Sequence, residues 1–143
     1  MTSAVARING ARLALDDRAA KLPAGDSLVP RLTRASGAVD ALRKRIVATK
    51  EGGMITGEER LRENLTDLYG NIVFYEGRPA ATQLERGDAI ARELADVVAA
   101  FDAWAANELP ALNAAIEAKR LEPIHVLARE QRVKDVPAST VRP

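Results

Sequence analysis

Apolar residues along this chain recur in steps of three and four. Leu28, Leu32, Ala35, Val39, Leu42 and Ile46 form one such series, and Leu61, Leu65, Leu68, Ile72 and Tyr75 form a second. A third runs through Ile90, Leu94, Val97, Phe101 and Trp104 and continues to Leu112 and Ile116, while Val5, Ile8, Leu15, Ala19 and Leu22 make a diluted fourth. Each step is close to one helical turn, so the members of a series share one face of an α-helix. The pattern predicts amphipathic helices that bury their stripes against one another.

Local signals place the ends of these helices. The first spans about Ser3 to Leu22, with Thr2 or Ser3 as its cap, and Asn9-Gly10 weakens its middle. Pro23-Ala24-Gly25-Asp26-Ser27 reads as a loop. The second helix covers Arg31 to Lys50, with Pro30 near its first turn and Gly52-Gly53 after its end. Thr56-Gly57-Glu58-Glu59 reads as a capping box opening a third helix that runs to about Tyr75. Glu76-Gly77-Arg78-Pro79 breaks the chain, and Thr82-Gln83-Leu84-Glu85 is a second box opening the fourth helix. The apolar stripe stays in phase across Pro110, which favours one long, kinked fourth helix over a fresh start at the proline.

Short connections between successive helices make neighbours antiparallel. The expected fold is therefore all-α: an up-down-up-down antiparallel four-helix bundle over residues 1–124, with an irregular, extended or mobile tail over 125–143. Stripes spaced by three and four favour crossing angles of roughly 20°.

Composition narrows the function classes. A chain of 143 residues, 47% hydrophobic and 29% charged, is one domain with a real core and a well-solvated surface. Aromatic residues make up only 3%, so the core is mostly aliphatic. The net charge is +1 with the signs interleaved, as in Glu58-Glu59-Arg60-Leu61-Arg62-Glu63, which argues against nucleic-acid binding. There is no cysteine, so disulfides, thiolate catalysis and Cys-based metal sites are excluded. No apolar run approaches the roughly 20 residues of a membrane-spanning helix. The N-terminal residues Met1 to Arg7 do not resemble a signal peptide.

The candidate chemistry is thin. His125 is the only histidine and lies outside the periodic region, which suits a surface residue better than a metal ligand or triad base. Ser3, Ser27, Ser36 and Ser139 lack a nucleophile-elbow context. Glu58-Glu59, Asp16-Asp17 and Glu93 with Asp96 read as solvated faces or first-turn acids, with nothing pointing to a perturbed pKa. Gly52-Gly53 has neither a dinucleotide fingerprint nor a Walker pattern around it. Arg43, Arg45 and Arg92 are the cations a small helical enzyme would turn on an anionic substrate, but Arg43 and Arg45 flank the seam rather than occupy it. Tyr69 and Phe74 depart from the third seam, and Arg78-Pro79 beside them is the most particular local string. Tyr69, Phe74, Arg78 and Pro79 are therefore the candidate interaction surface.

The run from Ile46 to Glu63 is joined in order by Asp67-Leu68-Tyr69-Gly70, Tyr75 to Pro79, Glu108 to Asn113, and Leu121-Glu122-Pro123-Ile124. Together these strings resemble the C-terminal helical region of bacterial sortilin-like, BNR-repeat β-propeller proteins, often labelled glycosyl hydrolases. The resemblance covers roughly Leu28 to Ile124 and lacks the propeller repeats. It implies an accessory module, with any glycosidase activity belonging to the propellers, and a periplasmic or extracellular setting. The sequence thus reads as a non-catalytic helical interaction module, with no catalytic residue, cofactor or metal assigned. Its partners would be β-rich domains of the parent protein or of another protein. The alternative is a self-associating module, in which leftover apolar surface on the fourth helix pairs two copies into a homodimer.

Overall fold

The computed structural model describes residues 1–49, 58–75 and 77–126. Those residues are all-helical: α1 Thr2–Ala20, α2 Val29–Ile46, α3 Leu61–Val73, α4 Ala81–Asn107 and α5 Leu109–Ala118, with no strand among them. Five helices stand where the periodic pattern counts four. α1 packs along α2, and α4 meets α2, α3 and α5.

The core follows the seams. Leu32, Val39, Ile46, Leu15, Val97 and Ile116 are wholly buried, and Ile8 and Phe101 very nearly so. α1 is continuous through Asn9-Gly10 because its buried face, Ile8, Ala11 and Leu15, packs against α2. Packing of this kind outweighs the modest propensity cost of one glycine. The small Ala11 and Ala35 keep the α1 and α2 stripes in step with the core. Between these helices Ser36 is a buried polar residue, and its hydroxyl donates to Asp16 Oδ1 at 2.6 Å.

Several helix ends differ from the sequence expectation. α2 stops at Ile46 rather than Lys50, because Val47 turns extended (φ −123°, ψ 135°) and is itself buried. The N–H groups of Ala48 and Thr49 then donate to the Glu63 and Glu58 carboxylates, at 3.2 and 3.1 Å. Glu58 and Glu59 precede α3 rather than opening it, and Glu63 at the third helical position accepts from the Arg60 N–H at 3.2 Å. Thr56, Lys50 and Gly52-Gly53 lie outside the described residues. α3 ends at Val73, two residues before Tyr75. α4 starts at Ala81, ahead of Thr82, and Gln83 accepts from the Ala80 N–H at 2.9 Å. The acceptor at the third position is thus present in both helices, four residues later than expected in α3 (Glu63 for Glu59) and two earlier in α4 (Gln83 for Glu85).

The expected kink at Pro110 is instead a break. α4 closes at Glu108, whose N–H reaches the Trp104 carbonyl at 2.9 Å, and α5 begins at Leu109 with Pro110 in its first turn. Proline has no N–H for the preceding turn and its ring crowds that turn, whereas at a helix start nothing is lost. The stripe resumes in phase with Leu109, Leu112 and Ile116 buried.

The chain turns sharply after α5. Arg120 adopts a left-handed conformation (φ 59°), and the Leu121 N–H returns to the Ile116 carbonyl at 3.2 Å. The following segment lies back on the helices. Asn113 Nδ2 donates to the Ile124 carbonyl at 2.9 Å, and the Ile124 N–H donates to Asn113 Oδ1 at 2.8 Å. Arg18 Nε donates to the Glu122 carbonyl at 2.8 Å. Ile124 is buried as a result, while the tail beyond Val126 lies outside the described residues.

Candidate docking site

Several of the candidate acids and cations are tied into ion pairs. Asp40 meets Arg43 at 2.7 Å and Lys44 at 2.9 Å, and these cations, Lys44 foremost, hold its carboxyl below the usual range. That pairing neutralises Arg43, while Arg45 and Arg92 are exposed. Lys21, then Arg18, lower the pKa of Asp17. Asp26 is lowered by Lys119 at 2.6 Å and by the Leu28 N–H at 2.9 Å. At Glu63 burial opposes ionisation, but backbone N–H groups and Arg62 outweigh it and keep the carboxyl below its ordinary value.

Glu58 departs furthest. The Thr49 N–H and the Arg60 guanidinium bring its pKa from 4.5 down to about 2. Such an acid holds two segments together as a carboxylate and gives up no proton near neutrality. The sequence offered no sign of this shift, because Thr49 and Glu58 lie nine residues apart and meet only in the folded chain. Among the described residues no group of His, Asp and Glu side chains is placed to hold a metal ion. His125 is exposed.

The apolar residues tell a different story. No described residue between Leu68 and Ile90 is buried, although this stretch forms the end of α3, the connection and the start of α4. α4 has 27 residues against 19 and 18 in α1 and α2. At 1.5 Å per residue it is about 40 Å long, against about 28 Å for α1. The α3–α4 hairpin therefore carries an end that the α1–α2 pair does not cover.

That end is apolar. Phe74 is 90% exposed, Tyr69 67%, Tyr75 62%, Leu84 57%, Val73 55% and Leu65 41%. Leu65 and Tyr75 lie on the expected third seam, and the structure corrects both from core to surface. Leu61 and Leu68 of the same seam are buried and Ile72 packs partly buried against the core, with Gly87 of α4 beside Leu68. Tyr69, Phe74, Arg78 and Pro79 are all exposed. Val73 and Leu84 are further exposed apolar residues that the sequence reading did not single out. The signal available was a second apolar row on α3, Leu65, Tyr69 and Val73, each four residues apart.

The connection is shaped to hold its aromatics. A Cβ at Gly77 would come within 2.7 Å of the Tyr75 ring, so glycine lets that ring lie against the turn. Beside it an open depression of about 740 Å³ is lined by Glu59, Thr66, Asp67, Gly70, Asn71, Phe74, Tyr75 and Arg86. Arg86 is anchored there by a 2.9 Å hydrogen bond to Asn64 Oδ1. Aromatic faces with an ordered cation and acids at their edge have the composition of a protein–protein contact.

No protein-family model matches the chain, and no curated protein or solved structure matches it either. No described helix is long and apolar enough to cross a membrane.

Proposed function

We propose that this chain is a non-catalytic helical interaction module that docks through the end of its α3–α4 hairpin. One observation carries the reading: of the few aromatic residues in the chain, Tyr69, Phe74 and Tyr75 are all exposed at the end of α3, while Phe101 and Trp104 stack in the core with ring centroids 5.7 Å apart. Large exposed apolar patches mark interaction sites. The architecture in this reading is an antiparallel four-rod bundle, with α4 and α5 acting as one rod interrupted at Glu108. The resemblance of residues 28–124 to the helical ends of sortilin-like proteins points the same way, toward an accessory module, and implies a β-rich partner domain outside the cytoplasm.

The test is site-specific photo-crosslinking in the cells that make the protein. A photoreactive phenylalanine at Phe74 yields a discrete adduct, and one at Glu117 on the exposed face of α5 yields none. Absence of an adduct at Phe74, or equal labelling at both positions, refutes the reading.

A further inference from the structure

The depression at the end of α3 has the chemistry of a cation site, and we propose that it receives an arginine side chain of the docking partner. The inference rests on the docking reading above and names the group that this part of the surface takes. Its α3 lining includes Asp67, Gly70, Asn71 and Phe74, whose three- and four-residue steps set them along one helix face. Gly70 stands in the middle of that face and leaves the hollow open. A Cβ there would meet nothing within 4 Å, so packing does not call for glycine. Glycine inside a helix lowers its stability, and what the missing side chain provides here is room. Phe74 and Tyr75, both exposed, bring two aromatic rings to the same hollow.

The charges decide between occupants. Glu59 and Asp67 line the hollow, and neither has an ion-pair partner among the described residues. The cations next to them in sequence are taken, Arg60 by Glu58 and Arg62 by Glu63. Arg86, the one cation among the described lining residues, is held by Asn64 Oδ1 at 2.9 Å. Even with Arg86 turned onto one acid, the other carboxylate is left over. A partner that covers this hollow with apolar or acidic groups strands that carboxylate away from water. A guanidinium avoids the penalty, because its plane stacks on an aromatic ring while its N–H fork meets a carboxylate. The Asn71 carboxamide adds a neutral acceptor beside them.

The probes are two blocked tripeptides, with arginine or glutamate between glycines, titrated into the full chain at fixed ionic strength. Amide NMR shifts at Gly70 and Asn71 report binding. The arginine peptide should give saturable shifts in roughly the millimolar range, and the glutamate peptide none. Asp67→Asn and Phe74→Ser should each weaken the arginine peptide about 2–5-fold, the loss of one exposed ion pair or one cation–π contact. Glu117→Gln, at an exposed acid on α5, leaves it unchanged. Gly70→Leu puts a better helix former into the hollow, so it keeps the helical signal and abolishes the shifts. Equal shifts with both peptides, no saturable shift up to about 50 mM, or a Gly70→Leu variant that still binds overturns the proposal. If the Phe74 crosslink persists beside any of those results, the docking reading stands and the arginine falls.

Discussion

Replacing Asn113 with alanine removes both halves of a clamp, because one carboxamide donates to the Ile124 carbonyl and accepts from the Ile124 N–H. Each hydrogen bond contributes about 1 kcal/mol net, and a buried backbone group left without a partner costs about 1–3 kcal/mol. Ile124 is 2% exposed, and full burial of such a side chain is worth about 1.5–3 kcal/mol. Arg18 holds the neighbouring Glu122 carbonyl independently, so the segment loosens rather than leaves. The expected loss for Asn113→Ala is therefore about 2–3 kcal/mol. Asn113→Asp keeps the acceptor for the Ile124 N–H and loses only the donor, so it should cost about 1 kcal/mol. Urea denaturation followed by circular dichroism gives these values, and hydrogen exchange at the Ile124 amide reports the clamp directly. Asn113→Ala and Ile124→Ala act on the same docked segment, so the double variant should fall short of additivity. An Asn113→Ala variant within about 0.5 kcal/mol of wild type, as an ordinary surface change would be, refutes the clamp.

Phe101→Ala should cost about 3–5 kcal/mol, since the ring is 1% exposed and stacked on Trp104, whereas the half-buried Leu42→Ala should cost about half as much by the same thermal or urea assay. Arg120→Gly should raise stability by about 0.5–1 kcal/mol, because the residue holds a φ of 59° that glycine adopts without a Cβ clash; a loss of stability would contradict the left-handed cap. The contribution of Glu58 is complete above pH 4.5 and is lost as the pH falls toward about 2, because the folded state keeps ionised a carboxyl that the unfolded chain protonates earlier. Thermal unfolding across that window should fall less steeply for Glu58→Gln than for wild type, with the difference shrinking in salt, and superimposed profiles would remove Glu58 from the account.

The stripes were legible because burial selects residues at helical spacing whatever covers them. Leu32, Ala35, Val39 and Ile46, Val97, Phe101 and Trp104, and Leu112 and Ile116 all lie where that spacing placed them. Pro110 was legible as two alternatives, and the restart prevailed since a proline costs nothing in a first turn. Asn113 gave no signal, as its partners are backbone groups eleven residues away that meet it only after Arg120 turns the chain. Of the candidate surface, Tyr69 and Phe74 stood out by departing from their seam, yet Leu65 and Tyr75 kept to the seam and are exposed all the same.

The amino-acid pattern by itself determined that this chain is helical, which faces are apolar and roughly where each helix ends, since those are properties of residues a few positions apart. Only the tertiary structure decided which apolar faces find a neighbour. Periodicity records that side chains share a side of a helix, but their removal from water depends on the length and placement of the helices opposite. Those helices stop short of the α3–α4 end and leave its aromatics in solvent.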